Sequence, residues 1–226
     1  GTRLGGRKPW CSGARFVDAA LLAALEGDAR QLVLVDLRKP GVRVAEAGWE
    51  AVGMAAIESG PVEFDAVPCR RIGVPGAYLE RPGFWHGGAG VAACWFGAAA
   101  AIAQRMADPG RVARDPHLAA ALGRADMALG GASALLRELA ARIDATPGQA
   151  HRRDVVRVRS AVERACHEVL DAAARSLGPG PLCRDGTHAQ RCADLTVFVR
   201  QSHADRDWAA LGLEVATMEP EARWPL

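Results

Sequence analysis

The sequence predicts an α+β chain in two parts: an antiparallel β-domain over residues 1–81, then a four-helix bundle over residues 82–226. Three observations predict it. Before residue 80 the apolar runs are short and broken by Gly and Pro. After it, four long stretches carry apolar residues at helical spacing. Alanine, the strongest helix former, supplies 46 of the 226 residues.

In the first part, Leu32–Leu37 reads as a strand ended by Lys39-Pro40-Gly41. Ala20–Leu25 is its hairpin partner across Glu26-Gly27-Asp28, and Pro61–Pro68 alternates like a half-buried strand. Trp10-Cys11-Ser12 and Gly53–Ile57 are read as further strands. In the second part, a helix is expected from Gly83 to Met106, stopped by Asp108-Pro109-Gly110. Asp115-Pro116, an N-cap followed by proline at the first helical position, starts the next. It runs to Ala145 with Leu118, Leu122, Leu129, Leu136 and Leu139 on its apolar face. A third helix spans Gln149–Leu177 and stops at Gly178-Pro179-Gly180-Pro181. The fourth runs from Asp185 into Trp208 and is closed by Gly212.

Charge narrows the partners. The net charge is +2, with 11 basic and 10 acidic side chains in residues 1–85 and 17 and 16 in the remainder. That balance predicts no nucleic-acid partner and no anionic membrane surface. Six widely spaced cysteines are read as free thiols in a reducing cytoplasm. The uncharged run Pro82–Gln104 is long enough to span a bilayer. Its Gly and Ala content instead predicts a buried helix at the centre of a packed bundle. The chain opens on Gly1 rather than Met, which raises the expectation of a truncated N-terminus.

Four constellations could carry chemistry. Gly88-Ala-Gly90-Val-Ala-Ala93 fits the dinucleotide fingerprint by letter, but no strand is expected before it, so close helix packing is the plainer reading. Cys183, His188 and Cys192, with Cys166 and His167 upstream, lack the tight ligand pair of a zinc site, so no metal is expected. Trp10 and Ser12, two apart on the expected strand, would share a face where an indole and a hydroxyl suit a flat heteroaromatic ring. Arg200–Asp207 is a polar run in which Asp207, one turn from His203, can orient the imidazole; a solvated helix face is the alternative.

Taken in order, these residues resemble the acyl-CoA dehydrogenase family. Gly6-Arg7-Lys8-Pro9-Trp10-Cys11-Ser12-Gly13-Ala14 is similar to its flavin-facing G-x-K-x-W-I-T-N-A motif, and Val52–Ser59 followed by Val62–Pro68 to the end of its middle β-domain. Leu177–Leu182 falls where the family has a Gly-Gly-x-Gly turn, and Cys192–Leu195 where its Arg-Asp-Ala helix begins. The resemblance implies that this chain holds the second half of the middle β-domain and the C-terminal helical domain. It implies FAD stacked on Trp10 and hydrogen-bonded by Ser12, with Gly178 and Gly180 near the cofactor of a neighbouring subunit. It also implies an acyl-CoA or related thioester substrate and a homo-oligomer formed through the C-terminal helices. Without the N-terminal helices, these 226 residues alone are expected to hold FAD weakly or not at all.

The departures lie at the chemistry. The position of the family's proton-abstracting glutamate is Ser202 here, no acid lies near Gly87, and the family's R-x-x-F-G motif is absent. Ser202 and His203 are therefore the candidate acid/base residues, with Asp205 as another acid nearby. Two other readings stand beside α,β-dehydrogenation: a flavin-dependent monooxygenase or oxidase of the same fold, and a non-catalytic helical interaction module.

Overall fold

The computed structural model describes residues 1–45 and 48–224. It divides into two compact units, Gly1–Phe84 and Trp85–Leu226.

The first unit is an antiparallel sheet of β1 (Arg3–Lys8), β2 (Ala19–Glu26), β3 (Ala29–Asp36), β4 (Val42–Val44) and β5 (Val62–Ile72) in the order β1-β5-β3-β2, with β4 also paired to β5. The expected hairpin is present: β2 and β3 pair from Ala19↔Asp36 to Glu26↔Ala29 across Gly27-Asp28. On β3, Gln31, Val33 and Val35 point into the core at every second residue.

Strand β5 is the spine. Its first half pairs with both β1 and β4, and its second half, from Cys69 to Ile72, pairs with β3. The alternation of buried Val62 and Phe64 slips by one residue before buried Val67. The slip is a β-bulge, since Val67 and Phe64 oppose Leu4 and Gly6, three positions against two. Ala66 takes the left-handed conformation there (φ 48°), and Arg3 donates to its carbonyl at 2.7 Å. Gly41 crosses the bulge closely, accepting from the Asp65 N–H at 2.9 Å with its own φ at 91°.

Two expected strands are corrected. Trp10–Ser12 lies in a turn after Pro9, because the Cys11 N–H is drawn to the Gly60 carbonyl and the Ala14 N–H back to the Cys11 carbonyl. Gly53–Ile57 gives a 3-10 turn over Ala55–Ile57, flanked by left-handed Met54 and Glu58. Conversely, β1 and β4 were hidden in the sequence, one by its glycine pair and the other by its three-residue length.

A short turn, α1 (Ala77–Glu80), leads into α2 (Pro82–Ala103), which carries the chain into the second unit. Then follow α3 (Pro109–Val112), α4 (Pro116–Ala145), α5 (Arg152–Leu177), α6 (Pro179–Arg184), α7 (Gly186–Phe198), α8 (Asp205–Ala216) and α9 (Pro220–Arg223). Helices α2, α4, α5 and α7 form the four-helix bundle. The Asp115 cap is as expected, its carboxylate accepting from the His117 and Leu118 N–H groups. Asp185 caps α7 in the same way through the His188 N–H.

By length and composition Pro82–Met106 could cross a membrane, with mean hydropathy 1.3. In the structure Ala89, Ala92, Trp95, Ala99 and Ile102 form its buried face in the bundle core. Trp95 meets Phe198 edge to face at 6.1 Å. All six cysteines are unpaired; Cys11 and Cys166 are buried, Cys94 and Cys183 exposed. Burial pushes the Cys166 thiol up to about 12.

The fourth helix is not continuous. After α7 a 3-10 turn, Val199–Gln201, leads to Ser202 in extended conformation and Ala204 at φ 45°, and only then does α8 begin. Gly212 does not close it but lies inside α8.

A Cβ on Gly41 would lie 2.5 Å from the Asp65 carbonyl oxygen in a backbone conformation that disfavours it. Gly41→Ala is therefore expected to destabilise the protein by roughly 1–3 kcal/mol in denaturant titration. His188 is 3% exposed, and burial first, then the Arg105 cation, lowers its pKa from 6.5. The unfolded chain thus binds the proton more readily, so stability falls as pH drops below 6.5 toward the folded value. Thermal unfolding at about pH 7.5 and about pH 5 should differ more for the native protein than for His188→Gln; equal pH slopes would count against this source.

Candidate functional site

In the first unit, Trp10 and Ser12 are exposed on either side of buried Cys11. The turn is fixed from behind, Cys11 N–H donating to Gly60 at 3.1 Å and Gly13 N–H to Ile57 at 3.0 Å. Trp10 is 65% exposed and stands edge to face with Trp49 at 6.3 Å. Trp49 is anchored by its indole N–H on the Met54 carbonyl at 3.0 Å. Beside Trp10 opens a cleft of about 610 Å³, bordered by Pro9, Arg43, Gly48, Pro61 and Glu63. Ser12 Oγ lies 2.8 Å from Oγ of buried Ser59. When Ser59 donates in that pair, the Ser12 proton is free for an outside acceptor. These residues fit a flavin ring: an indole face open to stacking and a hydroxyl able to donate to a ring heteroatom.

The second unit assembles a different cluster at the break between α7 and α8. Ser202 does not stand free. Its Oγ donates to Glu163 Oε2 at 2.6 Å and accepts from the Ala204 N–H at 3.2 Å. Glu163 comes from the middle of α5 and is 4% exposed. Its Oε1 faces Arg200 Nη2 at 3.3 Å and His167 Nε2 at 3.8 Å, and Arg200 in turn donates to His167. One turn earlier on α5, Arg159 donates to the Gly88 carbonyl at 2.6 Å and the Gln201 carbonyl at 3.0 Å. Its guanidinium lies 4.8 Å over the Trp95 ring. Burial lowers the Arg159 pKa, while Asp207 and Glu163 oppose that shift.

His203 is exposed, and its Nδ1 is 3.3 Å from Asp207 Oδ1. The expected pairing is therefore present, although His203 precedes α8 rather than riding on a continuous helix. With Nδ1 held by the carboxylate, Nε2 is the atom presented outward. Asp205 opens α8 without a cap bond from its neighbour Ala204.

Gly178 is the joint between α5 and α6 (φ 66°, ψ −165°), while Gly180 is already helical inside α6. Gly178 lies fifteen positions, about 22 Å, beyond Glu163 along α5. The structure thus sets Ser202 against Glu163 of α5, with His203 next to it, and places Gly178 at the far end of α5 and Gly180 inside α6. Gly88–Ala93 lies wholly within α2 with no strand before it. Cys192 Sγ is 3.6 Å from His188 Nε2, but among the described residues no three His, Cys, Asp or Glu side chains converge on a metal position.

Sequence reasoning missed Glu163. The available signal was its place on α5, flanked one turn away by Arg159 and His167 and set against the buried stripe Val155, Val158, Val162 and Cys166. An acid bordering such a stripe needs partners from another helix.

No protein-family profile matches the chain, and no curated protein matches it in sequence. Solved structures match it closely in fold. Glutaryl-coenzyme A dehydrogenase, in its glutaryl-CoA complex, superposes with TM-score 0.80 at 18% identity, covering 96% of this chain and 59% of that one. Butyryl-CoA dehydrogenase from Megasphaera elsdenii gives 0.78 at 15% identity, with coverages of 95% and 60%. FMN-bound TdsC from Paenibacillus sp. A11-2 gives 0.70 at 20% identity, with coverages of 93% and 62%. The chain spans about three-fifths of the length of these structures. Sheet, bundle and their order along the chain are those of the acyl-CoA dehydrogenase fold.

Proposed function

We propose that the protein is a flavin-dependent oxidoreductase that dehydrogenates the α,β carbon pair of an acyl thioester. What carries the reading is the fold likeness to the glutaryl-CoA complex over 96% of the chain. The exposed Trp10 face and the Ser12–Ser59 hydroxyl pair support it from the chain's own residues. FAD, when bound, supplies the acceptor for a hydride from the β-carbon. Trp10 would hold that ring by stacking, and Ser12 would donate a hydrogen bond to it. Asp207 holds His203 through Nδ1, so that the imidazole can polarise the thioester carbonyl and thereby acidify the α-proton. Ser202 stands at the position where that proton leaves. Gly178 and Gly180 serve the cofactor of a second subunit in a homo-oligomer built through the C-terminal helices.

The FMN-bound TdsC likeness favours a second reading, a flavin-dependent monooxygenase or oxidase on the same fold. The two separate cleanly: substrate-dependent oxygen consumption without flavin bleaching by acyl-CoA supports the second. Isolation of the intact protein with no flavin supports the interaction module instead.

In the intact protein, His203→Ala is expected to abolish anaerobic flavin bleaching by acyl-CoA, and unchanged bleaching would remove His203 from the reaction. Trp10→Ala is expected to weaken FAD retention about tenfold, the equivalent of about 1.4 kcal/mol of stacking, read by fluorescence titration.

A further inference from the structure

Glu163 is a buried carboxylate that neither the fold likeness nor the reading above uses. Its surroundings specify more than a brace. Ser202 has one proton and two acceptor positions. The proton goes to Glu163 at 2.6 Å, and the Ala204 N–H fills one acceptor position. The remaining lone pair has no partner within the cluster, and Ser202 is only partly buried. Behind it, Arg200 Nη2 lies 3.3 Å from the other carboxylate oxygen, Glu163 Oε1. His203, paired with Asp207, is the next residue along the chain.

We propose that Glu163 is the proton acceptor of the site, reached through the hydroxyl of Ser202. The relay rests on the reading of the α7–α8 break as substrate-facing. The substrate C–H bond breaks as a new O–H bond forms at Ser202 Oγ. The original Oγ–H bond breaks in the same motion, and its proton lands on Glu163 Oε2. The electron pair stays with the α-carbon and becomes the C=C bond as hydride leaves the β-carbon for oxidised flavin. Ser202 ends as it began, and a serine too weakly basic to act alone passes its proton to a carboxylate. The arrangement moves the acid group one side chain back, onto a different helix, while leaving an oxygen at the reacting position.

The test uses the intact flavin-loaded protein and phenylacetyl-CoA, a thioester with acidic α-protons and no β-hydrogen to lose. Exchange of those protons in D2O reports proton transfer without any redox step. The native protein is expected to catalyse exchange. Glu163→Gln keeps the volume and an acceptor for Ser202 but resists protonation, and should slow exchange by roughly 100-fold or more, as should Ser202→Ala. Ser202→Thr, which retains a hydroxyl, should restore most of what Ser202→Ala loses. Circular dichroism melts on each variant separate lost exchange from lost folding. Exchange at the native rate in folded Glu163→Gln or Ser202→Ala would overturn the relay, as would no exchange by the native protein. Exchange that depends on Glu163, without flavin bleaching by any acyl-CoA, would keep the relay and overturn the dehydrogenase reading.

Discussion

A carboxylate inside an Ala- and Val-rich bundle costs several kcal/mol unless its charge is matched and its lone pairs are filled. Glu163 meets both conditions only because the chain breaks where it does. Arg200 comes from the 3-10 turn after α7, and Ser202 from the extended residue that follows. Had α7 run on as a straight helix into Trp208, the geometry that delivers both groups to one carboxylate would be lost. Arg159, one turn away on α5, ties the same break to α2 by bonding the Gly88 and Gln201 carbonyls. Ala204 accepts a left-handed backbone at this point, a strain of order 1–3 kcal/mol that the surrounding bonds must offset. The position of His203 beside Asp207 is downstream of all this.

The sheet unit depends on a comparable irregularity. One extra residue at Asp65-Ala66 bends β5 within its pairing with β1, beyond the stretch paired with β4 and ahead of the stretch paired with β3. The bulge lets Val62, Phe64 and Val67 all face the core despite their odd spacing. The loop carrying Trp49 and Met54 runs between β4 and β5, and through Gly60 and Ile57 it braces the Trp10 turn. An aromatic face is thereby held exposed on backbone bonds rather than on a strand.

Much of this was legible in the sequence, and the remainder was hidden for physical reasons. Asp115-Pro116 and Gly178 announce helix ends because capping and left-handed backbone are local requirements. The hairpin across Gly27-Asp28 was equally plain. Trp10–Ser12 forms a turn rather than the expected strand because it is pinned to a segment some 47 residues away, as the Ser12–Ser59 bond shows. The α7–α8 break was invisible because Ser202-His203-Ala204 is compatible with helix; a buried acid 39 residues earlier decides otherwise. The motif order along the chain did carry the fold, and the fold likeness agrees with it. Which oxygen receives a proton is a property of packing between helices, and no spacing along one helix encodes it.

The division of the chain has a chemical consequence. Its only lysines, Lys8 and Lys39, both lie in Gly1–Phe84, and the bundle carries its positive charge entirely on arginine. The exposed thiols, Cys94 and Cys183, both lie in Trp85–Leu226. Lysine-directed acylation therefore marks the sheet unit, and maleimide reacts first at the exposed thiols of the helical one, ahead of half-buried Cys69 and Cys192 and of Cys166, which its burial keeps unreactive. A donor and an acceptor dye can be placed on separate units of the native sequence without introducing a single substitution.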